Sequence, residues 1–449
     1  MIGQGRVLET LRGLLGKSRS DQAEALFWGI DEGLTRFAGN VIHQNVAVKD
    51  ANVYLRAVRG RKIGVAVTNR FDPETLAAAL ARAEQIADSQ REFEHSVTLP
   101  SPSPASEVPT FFESTASMGP EDRARTVRQV LDASVSAGVT AAGSLSTGTT
   151  ELAVANSLGV EAYQTFTGAA TNMVLSREDS SGFASWAGRD AGNLDILALI
   201  ETAKRKCLEG KSPVEVEPGD FTVVLEEEAV ANLLEWINYI GFSATSFREK
   251  TSFMADRIGE RIFGENITIA DDGLDPGGLA MPFDFEGVAK RRMVLVDRGK
   301  AAAVAHNTLS GIRAGKPSTG HALPPDESLD EALPMNLVVE PGESDREKMI
   351  SSVSRGILVT RFHYINGYLD TRNALLTGMT RDGTFLIEDG RVTKGLKNLR
   401  FTQNMLEAFS DVKAISKDRK TSPSWWGQLG AIRAPAMLIG RFRFTGKTG

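Results

Sequence analysis

One run, Phe221 to Ile240, constrains this chain more than any other. Phe221-Thr-Val-Val-Leu225 has the β-branched and aromatic composition of a buried strand. Glu226, Glu227 and Glu228 come next. Val230, Leu233, Leu234 and Ile237 then recur at i, i+3, i+4 and i+7, the spacing of an amphipathic helix. The three glutamates fall on its first turn, where exposed N–H groups favour negative charge. A strand that feeds straight into a helix is where many hydrolases hold a metal or a nucleophile. Here no His, Cys or Ser stands between Val223 and Ile240.

The 449 residues are too many for one core and imply about two or three domains. The polar, proline-bearing stretch Lys211 to Asp220 is the best boundary. It predicts an N-terminal α+β domain over 1–212 and a C-terminal, strand-dominated domain over 213–449. In the first, α+β reads as an antiparallel sheet with helices. Strands are expected at Ala25–Trp28, Leu34–Phe37, Val41–Val48, Val53–Val58 and Ile63–Val67, with Gly33, Gly39-Asn40 and Gly60 as punctuation. Further strands are expected at 141–146, 150–155 and 162–165. Helices are predicted near Val7–Leu15, from Asp72-Pro73 to Ser89, over 119–137 and over 194–208. Leu99 to Ser117 reads as a loop.

The second domain predicts helices at Phe253–Gly264, Asp345–Ser354 and Thr402–Phe409, and a loop from Asn307 to Asp326. Strands are expected around 267–272, 292–299, 337–339, 357–360 and 436–444, and a hairpin turning at Asp389-Gly390. No sequence repeat is visible.

Charge and cysteine content narrow the function classes. A net charge of −6 argues against a nucleic-acid binder. Cys207 stands alone, which excludes an intrachain disulfide and a multi-cysteine zinc site, and fits a reducing, cytoplasmic setting. No apolar run is long enough to span a membrane, and Met1 to Ser18 lacks the core of a signal peptide. The histidines, His43, His95, His306, His321 and His363, are too scattered for a helix-borne zinc pair, although the last three can meet only in space. There is no G-x-S-x-G and no G-x-G-x-x-G after a strand. The glycines around Gly311 and Gly315 are one residue short of a phosphate loop.

Several strings in order resemble the TldD/PmbA family, the "modulator of DNA gyrase" proteins. They are Phe221-Thr-Val-Val-Leu, Ile269-Ala-Asp-Asp272, Phe283-Asp-Phe-Glu-Gly-Val288, Ser318-Thr-Gly-His321, Asn336-Leu-Val-Val-Glu-Pro-Gly342, Arg355-Gly-Ile-Leu-Val-Thr360, Phe385-Leu-Ile-Glu-Asp-Gly390 and, near the start, Leu34 to Gln44. In that family the TldD-type subunit resembles a zinc peptidase, with H-E-x-x-x-H on the helix after the Val-Val-Leu strand and a cysteine ligand near the C-terminus. The PmbA-type (TldE) subunit lacks these ligands and pairs with TldD. Here the three motif positions are Glu235, Trp236 and Ile240, or Leu234, Glu235 and Tyr239 if slipped by one, and neither register has a histidine.

The resemblance therefore implies a PmbA/TldE-like subunit with no cofactor of its own. Zinc is expected in a TldD-like partner, and the substrate is an unfolded or extended peptide. Glu235 is the candidate remnant general base, weighed against a solvated residue beside the apolar face. Ser318, Thr319, Gly320 and His321 are candidate peptide or partner contacts, weighed against a loop shaped by its turn. Trp236, Trp425 and Trp426 are read as core packing or interface anchors. Two alternatives are a self-sufficient hydrolase built on His306, His321 and His363, and a non-enzymatic, peptide-binding homodimer.

Overall fold

Residues 1–326 and 329–447 are described by a computed structural model, an α+β chain built on two sheets. The first sheet contains β1 (Gln22–Ala38), β2 (Val41–Arg59), β3 (Lys62–Thr68), β4 (Thr140–Asn156), β5 (Glu161–Ser176) and β6 (Ser181–Gly188). Its order is β3-β2-β1-β4-β5-β6, with every pair antiparallel. Helices α1 (Gln4–Leu15), α2 (Pro73–Ser89), α3 (Pro120–Ala137) and α4 (Ile196–Glu209) bury their apolar stripes on it. Asp72 caps α2 by accepting the Thr75 N–H, and Pro73 fills the first helical position.

The expectation of no repeat holds for the residues but not for the topology. Helix, three strands and helix occur twice, as α1-β1-β2-β3-α2 and α3-β4-β5-β6-α4, and the two copies join edge to edge through β1 and β4. Gly64 on β3 and Gly182 on β6 occupy matching places. A Cβ on Gly64 would lie 2.0 Å from the Ala83 carbonyl oxygen of α2. One on Gly182 would lie 2.1 Å from the Ala203 carbonyl oxygen of α4. Each helix thus rests directly on strand backbone, a contact that only glycine permits.

Several strands expected as pairs are single long ones. Ala25–Trp28 and Leu34–Phe37 are both part of β1, Val41–Val48 and Val53–Val58 of β2, and 141–146 and 150–155 of β4. Gly33 is not a turn: it lies inside β1, where a Cβ would strike the guanidinium of buried Arg123 at 2.2 Å. The expected loop at 99–117 contains one helical turn, Glu113–Ala116.

In the second half, β7 (Gly219–Leu225) runs into α5 (Glu227–Gly241) as the sequence predicts. The other strands are β8 (Ile269–Asp271), β9 (Met293–Asp297), β10 (Lys300–Ala301), β11 (Asn336–Val339), β12 (Arg355–Asp370), β13 (Leu375–Glu388), β14 (Arg391–Gly395), β15 (Leu399–Asn404), β16 (Val412–Pro423) and β17 (Ala431–Lys447). Five of them close a ring, β7-β12-β13-β15-β17, because β17 pairs back onto β7. Among the described residues, the β12–β7 and β11–β17 pairs are the parallel ones between named strands. Val223, Leu225, Ile357, Val359, Leu376, Phe401 and Ile439 share one core with Val230, Leu233, Leu234 and Ile237 of α5.

Three expectations for this half are corrected. Phe253–Gly264 is a string of turns, not a helix. Asp256 and Gly259 have positive φ, and the Gly259 and Ile262 N–H groups bond to Ala301 and Gly299 instead of to a preceding turn. The loop at Asn307 opens as α6 (Thr308–Ala314), because Asn307 and Ser310 cap each other reciprocally. Thr402–Asn404 finishes β15, and the helix begins only at Met405, where the Asn404 side chain accepts the Glu407 N–H.

The halves dock through a mixed surface. Leu26, Tyr54, Leu152 and Phe166 pack with Met281, Phe283, Phe285 and Leu429. Buried Arg56 of β2 pairs with Glu24 at 2.9 Å and, across the boundary, with Glu286 at 2.7 Å. Lys206 of α4 pairs with buried Glu226 at the start of α5.

Glycine substitutions will separate close contact from free space. Gly64→Ala or Gly182→Ala is expected to lower stability by about 1–3 kcal/mol by overpacking. Gly13→Ala on the open face of α1, where a Cβ meets nothing within 4 Å, is expected to raise it by about 0.5–1 kcal/mol. Denaturant melts of the three variants check both signs.

Candidate functional site

Where β7 gives way to α5, the ring leaves an opening. β12 pairs with β7 only from Gly356 to Val359. Beyond that, its edge facing α5 has no strand partner among the described residues, and the Phe362 N–H is taken by the Asn232 side chain of α5 at 3.0 Å. Bulges break the register of β12 against β13 in this stretch, and Tyr364 has a positive φ of 49°. The result is a cleft of about 260 Å³. Its floor is Ala231, Asn232, Glu235 and Trp236, one wall is Arg361 to Ile365 of β12, and the other is Ser422 to Trp425.

Glu235 therefore faces a cleft instead of a plain solvated surface. One of its oxygens accepts the Trp425 N–H at 3.1 Å, and no cation lies within ion-pair distance of it among the described residues. Burial pushes its carboxyl up to about 7, against the opposing Trp425 hydrogen bond. His363, in the same wall, is pushed down by burial and by Arg361 and Arg381, which favours the neutral imidazole. Arg361 is already engaged: its Nε donates to Asp382 at 2.9 Å, and its guanidinium lies 4.3 Å from the centre of the Phe183 ring.

Four aromatic rings extend the cleft. Trp236 and Tyr239 of α5 meet Tyr368 of β12 and Trp425 edge to face, with centroids 5.2–6.0 Å apart across the two elements. Tyr368 and Trp425 remain 59% and 57% exposed. Beyond Trp425 a second groove of about 700 Å³ continues past Tyr239, Ile240, Leu323, Leu333 and Trp426. Of the three tryptophans considered, Trp425 is the exposed one, and Trp236 and Trp426 are half-buried.

The 424–430 loop that carries Trp425 is anchored from the first sheet. Arg189, fully buried, donates to the carbonyls of Thr167 (2.9 Å), Gln428 (2.7 Å) and Ala280 (2.8 Å), and sits 4.9 Å from the Phe166 ring centre. It has no carboxylate partner among the described residues, and burial pushes its guanidinium down to about 9.

The turn Ser318–His321 lies elsewhere. His321 is buried: its Nε2 is 3.0 Å from Asp271 and its Nδ1 is 2.9 Å from the Thr319 hydroxyl. Asp271 also faces Lys290 at 3.4 Å. Burial alone would raise this carboxyl, but Lys290 and His321 hold it well below the usual range. Gly320 is buried against Ala289 and Lys290, so only Ser318 and Thr319 keep partial exposure. His306 lies on the Thr319 side of this turn, whereas His363 lies in the cleft, so the three C-terminal histidines do not converge.

A zinc ion does not fit the residues present. At the helix positions where the family's ligands fall, Glu235 is accompanied by Trp236 and Ile240, or by Leu234 and Tyr239. Cys207 lies on α4 in the first half, buried against the first sheet. Among the described residues no three His, Cys, Asp or Glu side chains gather as a metal site.

An α+β chain with a closed strand ring, a buried helix leaving it and, at that junction, a cleft without a metal-ligand set among the described residues defines the class. The PmbA/TldA metallopeptidase C-terminal domain matches residues 218–446, and the PmbA/TldA metallopeptidase domain 1 matches residues 30–87. The chain belongs to the TldD/PmbA metallopeptidase family. An uncharacterized protein of Methanocaldococcus jannaschii is 24% identical over 88% of this chain and 92% of its own length. A metalloprotease of the same organism is 24% identical over 58% of this chain and 56% of its own length. The crystal structure of TldE from Thermococcus kodakarensis superposes with a TM-score of 0.87 at 21% identity, covering 98% of this chain and 99% of that one, a likeness of fold.

Of the residues lining the cleft, sequence reasoning singled out Glu235 through the motif that the resemblance implies, and Trp236 and Trp425 by type. It missed Tyr239, Tyr368, Asn232 and Arg189. The pair Trp236 and Tyr239, three apart on a helix, was the available signal.

The Glu235 carboxyl makes a signed prediction. A folded-state value near 7, against 4.5 ordinarily, gives stability that is fully present below about pH 4.5 and is lost as the pH rises through 7. Glu235→Gln can keep the Trp425 contact and cannot ionise. It is expected to be more stable than the native chain at pH 8, by on the order of 1–2 kcal/mol after solvent screening. The gap should close toward pH 4.5, as thermal melts across that range will show.

Proposed function

We propose that this chain is the metal-free, PmbA/TldE-like subunit of a cytoplasmic metallopeptidase complex that processes unfolded or extended peptides. A TldD-like partner would supply the zinc, its ligands and the catalytic carboxylate. The observation that carries this reading is the cleft itself. It retains the strand-to-helix corner, an open strand edge and an aromatic wall, yet offers one glutamate and one histidine where metal chemistry needs a full ligand set.

What this chain contributes is binding. An extended peptide can add to the unpaired edge of β12 through main-chain hydrogen bonds, with alternate side chains directed toward the aromatic rings and toward Glu235. In this reading Glu235 acts as a remnant that no longer serves a metal-bound water. Ser318 and Thr319, half-exposed outside the cleft, are available to the partner. The working division is 1–212 as the first domain and 213–449 as the second.

Purified alone, the chain is expected to hold no stoichiometric zinc by elemental analysis and to leave peptides uncleaved. Co-expressed with a TldD-like subunit, it should co-purify as a heterodimer by light scattering, with chelator-sensitive peptidase activity. Stoichiometric zinc on the isolated chain, with peptide cleavage that chelation abolishes, would overturn the assignment.

A further inference from the structure

The binding reading leaves open which peptide group the cleft selects, and the charges around Glu235 bear on that. Its carboxylate is half-buried, accepts a single hydrogen bond and has no positive neighbour within ion-pair reach among the described residues. The nearby cation is committed elsewhere: Arg361 is held by Asp382 and Phe183. His363 is held toward its neutral form. A carboxylate withdrawn from water with no counter-ion is costly, and an incoming positive group removes that cost.

The surroundings define the shape of that group. Trp236 and Trp425 pack edge to face with ring centres 5.2 Å apart and line the same cleft as the carboxylate, giving it apolar and π surface. Such surface accommodates a hydrocarbon stem and attracts a cation near the ring faces. The space of about 260 Å³ admits one side chain or a chain terminus, not a folded element. A metal cation is a poor match, since one carboxylate and one imidazole fall short of a ligand set.

We propose that the cleft is a subsite for an aliphatic ammonium group of an extended peptide, with Glu235 as its counter-ion and the touching rings of Trp236 and Trp425 as its apolar side. The inference rests on the peptide-binding reading above and goes further by naming the charge and shape of the occupant. The ammonium has two possible sources, a lysine side chain or a free amino terminus.

Calorimetry on the full chain with three hexapeptides of one background sequence tests it. One is N-acetylated with a central lysine, one is N-acetylated with norleucine in its place, and one carries norleucine with a free amino terminus. At pH 8, at least one ammonium-bearing peptide is expected to bind tenfold or more tightly than the acetylated norleucine peptide. Glu235→Gln should bring that ratio close to one. A preference for the lysine peptide assigns the side chain, and a preference for the free terminus assigns the amino end. An acetylated norleucine peptide that binds as well as the others, or a ratio that survives Glu235→Gln, overturns the subsite but leaves peptide binding intact. If none of the three binds, the peptide-cleft reading itself falls, and the subsite with it. Circular dichroism of the variant confirms that it is folded.

Discussion

The second half depends on β7 being hydrogen-bonded along both edges. These seven residues pair in parallel with β12 and antiparallel with β17, and so close a five-stranded ring. Closure buries Val223 and Leu225 on one face and Val224 on the other, which is why the strand reads as an uninterrupted apolar run. It also fixes the exit direction of α5. The Glu226 N–H bonds to the Val359 carbonyl, and Glu226 itself is pinned by Lys206 from the first half. The cleft is what remains once the chain turns from strand to helix and leaves the edge of β12 uncovered. Its geometry follows from the ring.

Polar contacts carry much of the docking between the halves. Arg56 is shared between Glu24 and Glu286, and burial pushes the Glu24 carboxyl up against the pull of Arg56. Arg189 gathers three carbonyls from three separate segments. Neither arrangement packs more apolar surface than an aliphatic side chain would. Both demand specific partners at specific distances and so fix how the halves meet. Gln428 adds to this, as its side chain lies where a Cβ on Gly148 or Gly168 would be. The loop bearing Trp425 is therefore set by the first sheet, although it faces a cleft in the second.

Much of this was legible in the sequence where local chemistry decides. Asp72-Pro73 gave a helix start, Asp389-Gly390 a hairpin turn with both residues at positive φ, and Phe221–Ile240 a strand and its helix. Glycine misled where its role was close approach: Gly33 looked like a turn because sequence alone does not reveal an arginine packed above it. The duplication of the first half was invisible because sheet and helix geometry repeat there without the side chains repeating. Phe253–Gly264 carried apolar residues at helix-like spacing, but long-range bonds to Gly299 and Ala301 captured its backbone. In the cleft, Glu235 was reachable through the family motif that the resemblance lays on the helix after the Val-Val-Leu strand. His363 was named only in a histidine trio that does not converge, and Tyr368 not at all, since their place depends on bulges in a strand more than a hundred residues later.

The two sheets differ in how far apart in the chain their partners lie. In the first, β1 to β3 and β4 to β6 are joined by short turns, so each strand meets its neighbour soon after it is made. The ring in the second cannot close until β17 arrives to meet β7, from opposite ends of that half. Pairing over such a separation slows assembly, because the loop must be gathered before any contact rewards it. On the ribosome, α5 and its apolar flank wait in the open until nearly all of the chain has emerged, and this interval is where a nascent chain of this design most needs a chaperone.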